Sequence, residues 1–110
     1  MNKELSKEFD LLFAAIISAE GKILDQCGKR DRIPNYGLAR NLFESPETRR
    51  NLAGSIRKEG RPEMWGQGDI TCCIQVNEKE TFFAVWAIAG KSPGNDYARL
   101  CAAIAKIQEM

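Results

Sequence analysis

The hydrophobic pattern is organised around one stretch, Thr81 to Ala89, an uncharged apolar run. Phe82, Ala84, Trp86 and Ile88 fall on one pleat face, and Phe83, Val85, Ala87 and Ala89 on the other, because successive strand residues point to opposite sides. A strand apolar on both faces belongs in the middle of a sheet covered on both sides. Ile70 to Val76 alternates: Ile70, Cys72, Ile74 and Val76 are expected inward, and Thr71, Cys73, Gln75 and Asn77 outward. The turn Asn77-Glu78-Lys79-Glu80 joins it to the central strand. Glu63 to Gly68, weakened by glycine, reads as a short strand or bulged edge.

Towards the N-terminus, Asn2 to Glu8 predicts a short helix. A hairpin follows, Leu11–Ser18 and Lys22–Gln26, with Gly21 suited to the positive φ of a tight turn. Gly28 to Asn35 is a polar, basic connection ending at Pro34. Tyr36 to Phe43 is helical in pattern, with Leu38, Leu42 and Phe43 on one side. Ser45-Pro46 interrupts it, since proline disfavours α geometry in the residue before it. The same pair is a good start signal, serine as N-cap and proline as first helical residue, so a second helix is predicted from Pro46 to Lys58, with Gly60 ending it. Its apolar side is thin: Leu52, Ala53 and Ile56. Ser92-Pro93 repeats the start signal. The helix from Pro93 to Gln108 then places Tyr97, Leu100, Cys101, Ile104 and Ile107 on one face. The predicted fold class is α+β: a single antiparallel five-stranded sheet flanked by helices, in the order (α)ββαβββα.

Length and composition fit one domain over residues 1–110, with 44% apolar and 28% charged residues. No apolar run reaches the roughly 18 residues of a membrane helix, and the N-terminal residues carry no signal-peptide pattern, so a cytoplasmic location is expected. Net charge is +1, yet Lys29 to Arg61 holds nine basic residues against four acidic ones. That asymmetry suggests a basic face toward an acidic partner, against the blander reading of a solvated helix surface.

Candidate chemistry is sparse. With no histidine in the chain, Ser-His-Asp and Cys-His catalysis and histidine metal sites are excluded. The four cysteines, Cys27, Cys72, Cys73 and Cys101, lack metal-binding spacing and read as reduced thiols. Cys72 and Cys73 face opposite ways in a strand and cannot share a metal; Cys72 is expected in the core and Cys73 on the outer face. Gly66-x-Gly68 precedes a strand, whereas phosphate loops follow one and open a helix. No catalytic residue, metal or cofactor is expected. Trp86 reads as core. Trp65, beside Met64 on a weak edge strand, reads as an interface anchor. The neutral pI and the lack of a recognisable motif leave nucleic-acid binding a minor hypothesis.

The hairpin Ala15-Ile16-Ile17-Ser18-Ala19-Glu20-Gly21-Lys22-Ile23-Leu24, together with Phe82 to Ile88 followed by the helix from Asn95 to Ile107, resembles the roadblock family and its relatives, the longin domains, over about half of the chain. That resemblance implies a profilin-like sheet, homodimers that join their sheets edge to edge, and a role as platform or regulator for Ras-like GTPases. This chain departs from the family where Ser45-Pro46 breaks the single long second helix. The expected function is a non-catalytic, dimeric regulatory or scaffold module binding a protein partner, a small GTPase or another acidic-surfaced protein. Met64 and Trp65 are the expected interface anchors, and Arg49, Arg50 and Arg57 flank them. The alternative is a small-molecule sensor of the PAS or GAF kind, which requires a sizeable apolar cavity.

Overall fold

The computed structural model describes all residues, Met1 to Met110. The elements run α1 (Glu4–Glu8), β1 (Phe13–Ile17), β2 (Ile23–Gly28), a 3-10 turn (Arg30–Arg32), α2 (Gly37–Glu44), α3 (Pro46–Glu59), β3 (Glu63–Gln67), β4 (Ile70–Val76), β5 (Phe82–Ile88) and α4 (Pro93–Glu109). The five strands form one sheet in the order β2-β1-β5-β4-β3, with every neighbouring pair antiparallel. The apolar run predicted to be central is central: β5 pairs with β1 on one side and β4 on the other.

Each face of the sheet has its own core. On one, Phe82, Ala84 and Trp86 of β5 join Phe13, Ala15 and Ile17 of β1 and Cys72, Ile74 and Val76 of β4 beneath Ile33, Leu42, Leu52, Ala53 and Ile56. On the other, Phe83, Val85 and Ala87 meet Ala14, Cys27 and Cys73 beneath Leu100, Ala103, Ile104 and Ile107 of α4, with Leu5 of α1 closing the end. Trp86 is 1% exposed. Its ring lies 5.5 Å from that of Phe13 and stacks on that of Phe43 at 6.1 Å.

Two expectations about the pleat are corrected. Thr71 and Cys73 of β4 are buried, not outward, because α4 covers the second face and cysteine packs there as a small hydrophobe. Thr71 resolves its polarity by donating to the Trp65 carbonyl at 3.4 Å. Ile88, assigned inward, is half exposed at the end of β5, where it pairs with Ile70. Tyr97 and Cys101 lie at the border of their core rather than within it, and Leu38 is on the exposed side of α2.

Both Ser-Pro signals work as read. Ser45 Oγ accepts from Thr48 N–H at 3.1 Å, Ser92 Oγ accepts from Asn95 N–H at 3.3 Å, and a proline opens each helix. Gly60, at φ 72°, ends α3 in the left-handed conformation. The break at Ser45 leaves the last carbonyls of α2 without helical partners, and Arg49 supplies them. Its Nη1 donates to Leu42 O at 3.1 Å and Phe43 O at 3.0 Å, and its Nε to Ala19 O at 2.9 Å. One guanidinium thus ties the α2–α3 corner to the β1–β2 turn. Gly21, at φ 89° in that turn, lies so close that a Cβ there would collide with the Phe43 carbonyl and the Arg49 guanidinium.

Three outcomes follow. Trp86→Ala removes the largest buried side chain and should cost about 3–5 kcal/mol out of a total of about 5–15; a near-wild-type urea midpoint would disprove the central packing. Arg49→Ala leaves three carbonyls without their partner and should cost at least about 2 kcal/mol by the same measurement, with Arg49→Lys recovering part; equal midpoints for all three proteins would show the clamp to be idle. With Cys27, Cys72 and Cys73 buried and Cys101 partly exposed, a colourimetric disulfide reagent should modify one thiol quickly and three only on unfolding. Burial also pushes the thiols of Cys27, Cys72 and Cys73 up, which slows their attack further. Rapid modification of Cys73 would mean that α4 does not seal its face.

Candidate interaction surfaces

A five-stranded open sheet has two edges, and this one treats them differently. At β2 the register with β1 shifts between Ile16 and Ile17, an irregularity that bends an edge away from partners. Asp25 caps this edge as well, accepting from the Gln26 N–H at 2.9 Å while pairing with the amino group of Met1. β3 carries no such device. Glu63 to Gln67 pair with Ile74 to Ile70 in unbroken register. There is no lysine or proline within the strand, and its outer side meets no further strand.

The side chains of β3 divide between the two cores. Met64 packs against the α4 core beside Tyr97 and Cys101, and Trp65 against the α2–α3 core beside Ile70; both are half-buried. Tyr97 Oη donates to Pro62 O at 2.7 Å and anchors the chain just before the strand. Gln67 Nε2 donates to Tyr36 O at 2.9 Å and fixes the start of α2 at the other end. Tyr36 is 62% exposed and Leu38 42%. These two large apolar side chains were not among the anchors expected from sequence, where helical periodicity put Leu38 on the buried side. A signal for Tyr36 was available in its place between the polar loop and the helix.

The arginines assigned to this surface separate. Arg49 is 5% exposed with its guanidinium committed inward, so it offers nothing to a partner; the freed carbonyls of α2 outcompeted solvent for it. Arg50 is exposed on α3. Arg57 reaches the β4–β5 turn, donating to Glu80 Oε1 at 3.3 Å and Asn77 O at 3.2 Å. Ser55 Oγ donates to Glu63 Oε2 at 2.9 Å and links the outer side of α3 to the first residue of β3.

Other candidate chemistry is inert by geometry. Cys72 and Cys73 belong to different cores. Burial raises both thiols, the reverse of what a nucleophile requires. No three of the Cys, Asp and Glu side chains come together in a way that holds a metal. No helix is long and apolar enough to cross a membrane.

No family model matches the chain, and no curated protein does. Solved structures do. Myxococcus xanthus MglB superposes with a TM-score of 0.67 at 11% identity, covering 97% of this chain and 81% of its own. A structure described as MglB with tetrameric arrangement gives 0.64 at 10% identity, covering 96% and 81%. The Roadblock/LC7 domain from Streptomyces avermitilis gives 0.57 at 11% identity, covering 98% and 95%. At such identities the likeness is one of architecture, and the architecture of this chain is the roadblock fold that MglB and the Roadblock/LC7 domain share.

Proposed function

We propose that residues 1–110 form one non-catalytic regulatory module that dimerises through β3 and binds a protein partner, a Ras-like small GTPase, in the cytoplasm. The observation that carries this reading is the contrast between the two edges. β2 is irregular and capped, whereas β3 is regular and open, carries the half-buried Trp65, and is tied through Gln67 to Tyr36, whose side chain is exposed. An unprotected edge beside exposed apolar side chains is a liability in a monomer and an asset in an assembly. Two copies of β3 pairing antiparallel about Trp65 would extend one sheet across a two-fold axis and bring both copies of that side chain to its centre. The structure described as MglB with tetrameric arrangement, which shares this fold, is in keeping with that reading.

The assignment to GTPase regulation rests on the roadblock fold, with Arg50 and Lys58 exposed on α3 as cations that could meet an acidic partner. The non-catalytic reading is supported by the inert thiols and by a chain without histidine. Surface grooves lined chiefly by polar side chains suit a partner-binding module better than a small-molecule sensor.

Sedimentation equilibrium tests the dimer. Wild type should be dimeric at micromolar concentration. Trp65→Ala should weaken the dimer at least about tenfold, the loss of an anchor worth more than about 1.4 kcal/mol. A monomeric wild type would overturn the assembly, and a Trp65→Ala protein that dimerises equally well would move the interface away from β3.

A further inference from the structure

Gly66, within β3, is a glycine that its own chain does not require. Its φ lies outside the left-handed region in which five other glycines sit. A Cβ built on it would meet only the Ile70 carbonyl, at 3.9 Å. A glycine inside a strand weakens it and leaves one pleat side bare. Here the bare side borders a pocket of about 270 Å3 where β3 meets the start of α4, bounded also by Thr71, Ala89 and Pro93. Met64 stands at the same pocket, two residues back on the same pleat face, packed on the α4 core and half-buried. On its α4 side the open edge therefore carries a bump before Trp65 and a gap after it.

Two copies of β3 related by a two-fold axis perpendicular to the sheet keep their α4 faces on one side. Directly opposed residues then share a face, so the axis passes through a residue: Met64, Trp65 or Gly66. The three registers differ chemically. An axis at Met64 sets Glu63 against Trp65 and puts Pro62, which has no N–H to donate, opposite Gly66. An axis at Gly66 opposes Glu63 to Asp69, two carboxylates. An axis at Trp65 opposes Glu63 to Gln67 and Met64 to Gly66, with no like charges facing. Only in this last register does each bump meet a gap within the strand, and symmetry makes the contact twice.

We propose that Met64 of a second copy of this chain occupies the pocket over Gly66, and that this contact fixes the register of the dimer with Trp65 opposite Trp65. An unbranched thioether adapts readily to such an irregular gap. The proposal rests on the reading of a dimer through β3 and adds to it the residues that specify the pairing.

Disulfide mapping reads the register. Directly opposed residues have Cα atoms about 4.5–5.5 Å apart, within disulfide reach. In a Cys101→Ser background, which removes the one partly exposed thiol, the Met64→Cys and Gly66→Cys proteins are mixed, oxidised with copper-phenanthroline and digested for mass spectrometry. The mixture should yield a covalent dimer joined from position 64 of one copy to position 66 of the other, and neither protein alone should yield one. Self-linking of either protein alone would place the axis at that residue and overturn the proposal, as would a mixture that sediments as a dimer without the link. A second variant needs no thiol. Gly66→Leu fills the gap within each copy, and because leucine suits a strand better than glycine it should leave the circular-dichroism spectrum unchanged while weakening the dimer about tenfold or more through overpacking. A Gly66→Leu dimer as tight as wild type would overturn the proposal. A monomeric wild type would remove the dimer reading and this register with it, whereas a dimer carrying the wrong links would remove the register alone.

Discussion

Everything in this molecule follows from one strand being dry on both sides. β5 presents Phe82 and Trp86 to one face and Phe83 and Val85 to the other, all buried, so neither face of the sheet centre is left to water. Burying side chains of this size stabilises by about 1.5–3 kcal/mol each, and the gain is realised only if two separate layers are built. The long C-terminal helix supplies one, with α1 closing its end. The other falls to α2, α3 and Ile33, which together offer few apolar side chains.

That economy explains the corner at Ser45. Two short helices follow a twisted sheet more closely than one straight rod, but each extra helix end exposes backbone groups that need partners. Arg49 answers for the end of α2 and reaches the Ala19 carbonyl at the same time. A residue that looks like surface charge is therefore an internal tie, and the absence of a side chain at Gly21 makes room for it. The outward charge of the segment from Lys29 to Arg61 is correspondingly smaller than its composition suggests, and the arginines that remain available are spread over the loop, α2 and α3.

Element types were legible because each carries its own punctuation. The two Ser-Pro starts, the Gly60 stop and the alternation of Ile70 to Val76 depend on neighbours in the chain, and the structure repeats them within a residue or two. What was not legible depends on contacts between distant segments. Cys73 and Thr71 alternate as outward residues would, and only the placement of α4 shows that their side is covered. Arg49 sits in a basic helix turn exactly as a solvated arginine would; nothing local reveals the carbonyls of Leu42 and Phe43 waiting above it. At the candidate surface, the edge position of Met64 and Trp65 was readable from their glycine-weakened strand, while the bond from Gln67 to the Tyr36 carbonyl joins distant segments and leaves no local mark.

The sheet order has a consequence for how the chain comes into being. The first strand of the sheet pairs with the last, Phe13 opposite Trp86, so the middle of the sheet cannot close until β5 has been made. During synthesis the β1–β2 hairpin emerges early with Phe13, Ala15 and Ile17 exposed along one face and no β5 to cover the inner edge. Pairing between distant segments is slow, because the ends of a long loop must first meet. The nascent chain therefore passes through an interval in which its stickiest strand waits for its complement, and the sequence most in need of shielding by a chaperone is the first hairpin rather than the exposed edge of the finished protein.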